Sequence, residues 1–164
     1  MLRLVLSLIF VALIGATPVA AQDVRFSFGS SLRLDGSALE ITADSFEVDQ
    51  TTGSSTFSGN VLAVQGGMRI SAQSLVLEYE PGARTGTRRI GRLTASGDVA
   101  MVTDSEAIES QRAIYSLADQ RLEMIGDVVL VQGPNLLSGE RFVADLRAGT
   151  GRMIGRVRTI IRME

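Results

Sequence analysis

Asp44, Glu47 and Asp49 stand close together, and Asp98 and Glu106 follow further along; these are the side chains from which a paired-carboxylate acid–base site could be built. That chemistry needs two groups within reach of one substrate atom, with pKa values pushed apart. The sequence supplies no helper for it. It contains no His, the commonest general base and metal ligand. It also contains no Cys, so thiol catalysis, thiolate metal sites and disulfides are excluded together. No nucleophile motif is present either. The simpler account of these carboxylates is solvated strand face and turn, and no catalytic residue, metal site or cofactor is expected.

A second pattern with chemical potential is Gly followed by a polar residue. It reads SGNVLAV at 58–64, SGDVAMV at 96–102 and IGDVVLV at 125–131, with an echo, IGRVRT, at 154–159. A phosphate-cradling loop would lead into a helix N-terminus, but alternating apolar residues of a strand follow instead. Asp98 and Asp127 could belong to a repeated calcium site, yet Asn60 and Arg156 hold the same place in the other units. The remaining reading is conformational. A Gly at a tight turn or bulge adopts positive φ without strain, and each unit is expected to turn there and send a strand back.

The elements that would position these residues follow from periodicity. Leu39/Ile41, Phe46/Val48, Val61/Ala63, Leu75/Leu77, Val99/Met101 and Val128/Leu130 alternate with other residues in short runs bounded by Gly, Asp, Asn and Ser. Such alternation predicts half-buried antiparallel strands. Gly97, Gly126 and Gly155 are spaced by 29 residues and Gly59 to Gly97 by 38. The excess sits in EPGARTGTRRIGR, 80–92, which the other units lack and which reads as a solvated loop carrying Arg84, Arg88, Arg89 and Arg92. The chain is therefore about four two-strand repeats. In register, Phe46, Leu75, Ala113 and Phe142 share a column, as do Val48, Leu77, Tyr115 and Ala144. Phe57, Ala95, Met124 and Met153 form a third, and Val61, Val99, Val128 and Val157 a fourth. Ala63, Met101, Leu130 and Thr159 lie two residues beyond the last of these. All these columns are expected to face one side of the sheet.

Two uses of that apolar side compete. It is either the packed core of a sandwich or solenoid, or an apolar groove; mixed residue sizes and three inward Met (Met101, Met124, Met153) suit a variable ligand. The ends of the stack pose a second question, because terminal strands leave backbone groups unpaired. Val24, Phe26 and Phe28 at one end and Val157, Thr159 and Ile161 at the other are expected to form edges, either capped by loops or open to strand addition.

Met1 to Ala21 has the layout of a secretory signal peptide, with Arg3, an apolar run from Leu4 to Ile14, and Val19-Ala20-Ala21 before the cleavage point. The rival is an uncleaved anchor, although the run is short for a span of about 20 residues. Cleavage would leave 15 Arg against 18 acids, a net charge of −3 that excludes the basic face of a nucleic-acid binder. The expected organisation is a signal peptide at 1–21, an N-terminal edge segment at 22–37 and one β domain at 38–161, exported to the periplasm.

The stretch FSGNVLAVQGGMRISAQSLVLEYE, 57–80, resembles the signature of the OstA-like family, and LEITADSFEVDQTTGSSTFSGNV before it is similar to that family's opening repeat. The resemblance runs from Ala38 to Ile161. It implies an all-β, V-shaped, twisted open β-jellyroll of antiparallel strands with an apolar interior. It further implies a non-enzymatic carrier of lipopolysaccharide, holding the lipid A acyl chains in that interior. Its partners would be an LptC-like inner-membrane protein, an LptD-like outer-membrane protein and further copies head to tail. On this reading the groove residues are Phe46, Val48, Phe57, Val61, Leu75, Leu77, Met101, Tyr115, Met124, Val128, Leu130 and Phe142, and Arg69 or Arg112 would meet phosphates. An anchored LptC-like component, which shares the fold, and a β-repeat interaction protein with a packed core are the alternatives.

Overall fold

A computed structural model describes residues 37–80 and 89–162, and every regular element among them is a β-strand. The segment 1–21, Val24, Phe26, Phe28, and Arg84 and Arg88 of the insert lie outside the described residues. In chain order the strands are β1 (Glu40–Thr42), β2 (Ser45–Asp49), β3 (Ser54–Gln65), β4 (Met68–Tyr79), β5 (Ile90–Val102), β6 (Glu106–Ser116), β7 (Arg121–Gln132), β8 (Asn135–Asp145), β9 (Thr150–Ile154) and β10 (Arg158–Ile160). They form one antiparallel sheet in the order β1-β3-β4-β5-β6-β7-β8-β10, with β2 also paired to β3 and β9 also paired to β8. Each edge is thus a strand broken in two.

The repeated Gly does not turn the chain back. It lies inside β3, β5 and β7, where the register shifts between Ser58 and Val61, Ser96 and Val99, and Ile125 and Val128. Gly59, Gly97 and Gly126 take φ of 79°, 79° and 84°, and the residue after each, Asn60, Asp98 and Asp127, also has positive φ, at 45°, 47° and 46°. Two left-handed residues in succession bulge the strand and bend it, and Asn and Asp are the side chains that tolerate the second position best. The ladder then resumes, which is why no reversal occurs. Reversals come elsewhere, at Gln65–Met68 and Gln132–Asn135 among others, with Gly66 and Gly133 at φ of 56° and 55°.

On the partner strands the bend shows as two outward polar residues in a row: Gln73-Ser74, Gln111-Arg112 and Glu140-Arg141. These doubled positions keep Ala72 and Leu75, and Ser110 and Ala113, buried on the same inward face on either side of the bend line. That line divides the sheet into an upper leaf (61–65, 68–72, 99–102, 106–110, 128–132 and 135–139) and a lower leaf (54–58, 74–79, 90–96, 112–116, 121–125 and 141–145). Val61, Met101, Ile108 and Leu130 of the upper leaf join Leu75, Leu122, Met124 and Phe142 of the lower leaf in one apolar cluster. The folded sheet encloses its own interior, as a β-jellyroll does.

Candidate functional site

Between the leaves lies a cavity of about 280 Å³. Leu39, Ala63, Gln65, Met68, Ile70 and Met101 line it from the upper leaf and its edge; Ile90, Leu93, Tyr115, Leu117, Leu122 and Leu146 line it from the lower. Each wall is made by strand positions that share inward parity, so the sheet pleat itself aims these side chains at one another. Ten of the twelve are hydrocarbon or thioether. Gln65 and Tyr115 alone bring polar groups, and burial pushes the Tyr115 phenol above its ordinary pKa. A wall of this composition accepts apolar matter and fixes its placement with few polar contacts.

The twelve expected groove residues divide into three groups. Met101 and Tyr115 line the cavity. Val61, Leu75, Leu77, Met124, Val128, Leu130 and Phe142 are buried in the packing around it, Phe142 at 1% exposure, and Phe57 is half-buried against them. Phe46 and Val48 stand apart: β2 is exposed along its whole length, with Phe46 at 58% and Val48 at 44%. Among the described residues no strand pairs with β2 on its far side, its inward-parity side chains reach solvent, and the Phe46 ring packs against the Phe57 ring at 4.7 Å.

At the other edge Thr159 pairs with Leu137 within β10, whereas Val157 and Ile161 flank that strand and are exposed. Three of the columns predicted from the repeats therefore end early. Their fourth members, Met153, Val157 and Thr159, fall on β9, beside β10 or on it, where no further strand packs among the described residues, whereas Phe142 and Ala144 complete the other two on β8 and are buried. Arg69 and Arg112 both face outward, away from the cavity, because they sit at the opposite parity from Ile70 and Ala113. Sequence reasoning missed Leu39, Met68, Ile70, Ile90, Leu93, Leu117, Leu122 and Leu146 as lining, along with Ala63 and Gln65. Their signal was present, since most of them extend the inward parity to the strand ends.

The carboxylates are accounted for singly. Asp44 accepts from Asn60 Nδ2 at 2.8 Å and Asp127 from Gln111 Nε2 at 2.8 Å, each across a bulge. The Asp49 carboxylate accepts from the Thr51 backbone N–H at 2.7 Å, and its pKa is lowered chiefly by the Thr52 side chain and then by the Thr51 and Thr52 amides. Glu47 lies on the exposed β2. Glu106 corrects the expectation of a solvated turn residue: it begins β6 facing inward and is 6% exposed. Desolvation raises its pKa, a Gln132 Nε2 donor at 2.9 Å pulls it back, and its second oxygen, Oε2, has no partner among the described residues. Among the described residues no three His, Cys, Asp or Glu side chains gather into a metal-binding group.

This folded, ten-stranded antiparallel sheet and its repeat are what a comparison with known proteins can test. Residues 40–150 match the family described as LptA/(LptD N-terminal domain) LPS transport protein. The chain belongs to this family. An uncharacterized protein of Rhizobium meliloti is 24% identical over 151 residues, spanning 87% of this chain and 81% of that one. The solved structure of LptH from Pseudomonas aeruginosa, described as the LptA homologous periplasmic component of the lipopolysaccharide transport device, superposes with a TM-score of 0.68 at 16% identity. That match covers 78% of this chain and 97% of LptH, a likeness of fold. Membership in the LptA/LptD N-terminal family makes this chain a lipopolysaccharide transport protein of the OstA-like β-jellyroll type, as the resemblance of its sequence implied.

Proposed function

We propose that this chain is a periplasmic carrier that shields the acyl chains of lipid A between its two leaves. It passes lipopolysaccharide from the inner to the outer membrane as part of a bridge assembled edge to edge. The observation that carries the reading is the apolar cavity lined equally by both leaves, in a family whose business is lipopolysaccharide transport. Each methylene withdrawn from water there contributes about 0.8 kcal/mol, so several suffice to hold a chain without any covalent step. The split edges, β1 with β2 and β9 with β10, are the places where an LptC-like partner, an LptD-like partner or another copy would add strands. Phe46, Val48 and Thr159 lie there already exposed.

A photo-crosslinking residue placed at Tyr115 in cells tests the carrier role, with Asp145 on the outer face as control. Capture of lipopolysaccharide at Tyr115 and not at Asp145 is the expected result; equal capture at both sites, or none at Tyr115, refutes it. A mature N-terminus at Gln22 is expected of a protein exported by a cleaved signal peptide, and an intact one would transfer the chain to the anchored LptC-like role.

A further inference from the structure

The two leaves present different outer faces. On the lower leaf the outermost outward-facing rung runs through Glu78, Arg92, Ser116, Arg121 and Asp145, paired in register across β4 to β8, with no apolar side chain among them. On the upper leaf the matching rung runs Val64, Arg69, Val102, Ala107, Val131 and Leu136 across β3 to β8, and every member except Arg69 is apolar. The rung behind it adds Leu62, Ala100 and Val129, with Glu109 on β6 among them. Val102 is 43% exposed, Leu62 41% and Val131 40%. Single exposed apolar residues are ordinary, but a contiguous apolar rung on one leaf alone, rimmed by polar side chains, marks a surface that meets a partner.

We propose that the outer face of the upper leaf joins two copies of this chain back to back, about a two-fold axis that runs along β5. The charges choose both the occupant and the axis. Arg69 on β4 and Glu109 on β6 are exposed on this face and flank β5. Turning a second copy about β5 lays its β6 on β4 and its β4 on β6, so each Arg69 meets Glu109 of the other copy and the pair forms twice. Val64 then lies on Val131 of the second copy, and Val102 meets its own equivalent on the axis. Glu40 and Arg158, on the edge strands of the same face, keep its charge balanced. A face built for an anionic surface would instead carry a net positive charge. Sheets packed face to face align within about 30° of each other, which suits strands related by an axis close to their own direction. Seven of the eight strands in the sheet order overlap, over about 34 Å by about 14 Å. That is roughly 500 Å² per copy and roughly 1,000 Å² per pair, the size of a weak, reversible interface. The split edges stay open to strand addition, so this pairing goes beyond the carrier reading and does not depend on it.

The test is a charge exchange followed by sedimentation velocity of the purified protein. Arg69→Glu alone places a carboxylate against Glu109 of the second copy, and Glu109→Arg alone places a guanidinium against Arg69. Each is expected to weaken self-association by about tenfold or more. An equimolar mixture of the two variants is expected to restore it, because both pairs in the mixed dimer are again opposite in charge; a variant that had merely unfolded could not be rescued this way. A wild-type protein that remains monomeric, single variants that associate like the wild type, or a mixture no tighter than its components overturns the proposal and leaves the carrier reading standing. Position 102 reports which face is used. The chain has no Cys, so Val102→Cys carries one thiol, and a short bismaleimide is expected to link two copies through it. In an edge-to-edge assembly the same positions stand about eight strand spacings apart, about 38 Å, and escape the reagent; self-association without this link overturns the back-to-back arrangement. In cells a photo-crosslinking residue at Val102 should give a homodimer adduct, and an adduct with lipid or with another protein in its place overturns the second copy as occupant.

Discussion

Gly97→Ala and Gly53→Ala make a matched pair that separates two costs of a side chain at positive φ. Gly97 has φ of 79° and Gly53 has φ of 68°, so an Ala at either pays a left-handed penalty of about 1–2 kcal/mol. Only Gly97 is also crowded. A Cβ built there would lie 2.8 Å from Gln73 Cβ and 2.9 Å from Gln73 Cγ, whereas nothing lies within 4 Å of a Cβ at Gly53. Atoms so near the Gln73 backbone cannot swing aside, and overpacking of this kind costs about 1–3 kcal/mol. Gly97→Ala should therefore destabilise by about 2–5 kcal/mol and Gly53→Ala by about 1–2 kcal/mol. Gly126→Ala belongs between them, because the nearest contact there, at 2.8 Å, is the Gln111 amide oxygen at the far end of a flexible side chain, with Gln111 Cβ at 3.0 Å. Urea unfolding followed by circular dichroism gives the three values. The companion variant Gln73→Gly should return most of the excess at Gly97 and none at Gly53. If Gly97→Ala and Gly53→Ala cost the same, the bulge does not pack as described, and the bend is not what holds the leaves together.

Two further outcomes test the packing and the titration. Phe142→Ala should cost about 3–5 kcal/mol in the same unfolding assay, the range for a fully buried aromatic, and Phe46→Ala, on its exposed edge, no more than about 1 kcal/mol. For Glu106 the pKa is raised in the folded protein, so its contribution is most favourable below the unfolded-state value and is lost as pH rises toward the folded one. Glu106→Gln should accordingly melt above the wild type at pH 7 and lose that advantage by about pH 4; a variant less stable at both pH values would refute the buried-charge account.

The strands were legible because each inward column is chemically simple: Val61, Val99 and Val128 recur at one register position and are all buried. The bend was not. Gly-Asn and Gly-Asp between apolar runs are also the residues of a hairpin turn, so local chemistry points equally to reversal and to bulge. What distinguishes them is the partner strand, whose doubled polar pair is informative only once the pairing is known. The cavity was legible in its parity and not in its place. Met124 and Met101 occupy inward columns alike, yet the first is sealed in the core and the second lines the space. Which half of a column meets a gap depends on how far the two leaves slide past each other, a quantity no single strand encodes. Phe46 failed differently, since an apolar side chain at a free edge has the pattern of a core residue without the neighbour that would make it one.

The run of bulges at one level across the sheet gives the fold a spine with a repeated step. Asp44 with Asn60, Gln111 with Asp127 and Glu140 with Arg156 each clasp across one step, and every clasp is local to adjacent strands. Curvature is consequently set rung by rung, as in a staircase, with no keystone on which the whole depends. A fold of this kind has no architectural length: a hairpin can be lost from or added to the series without redrawing the rest, and its extent is a matter of how many times the unit was copied.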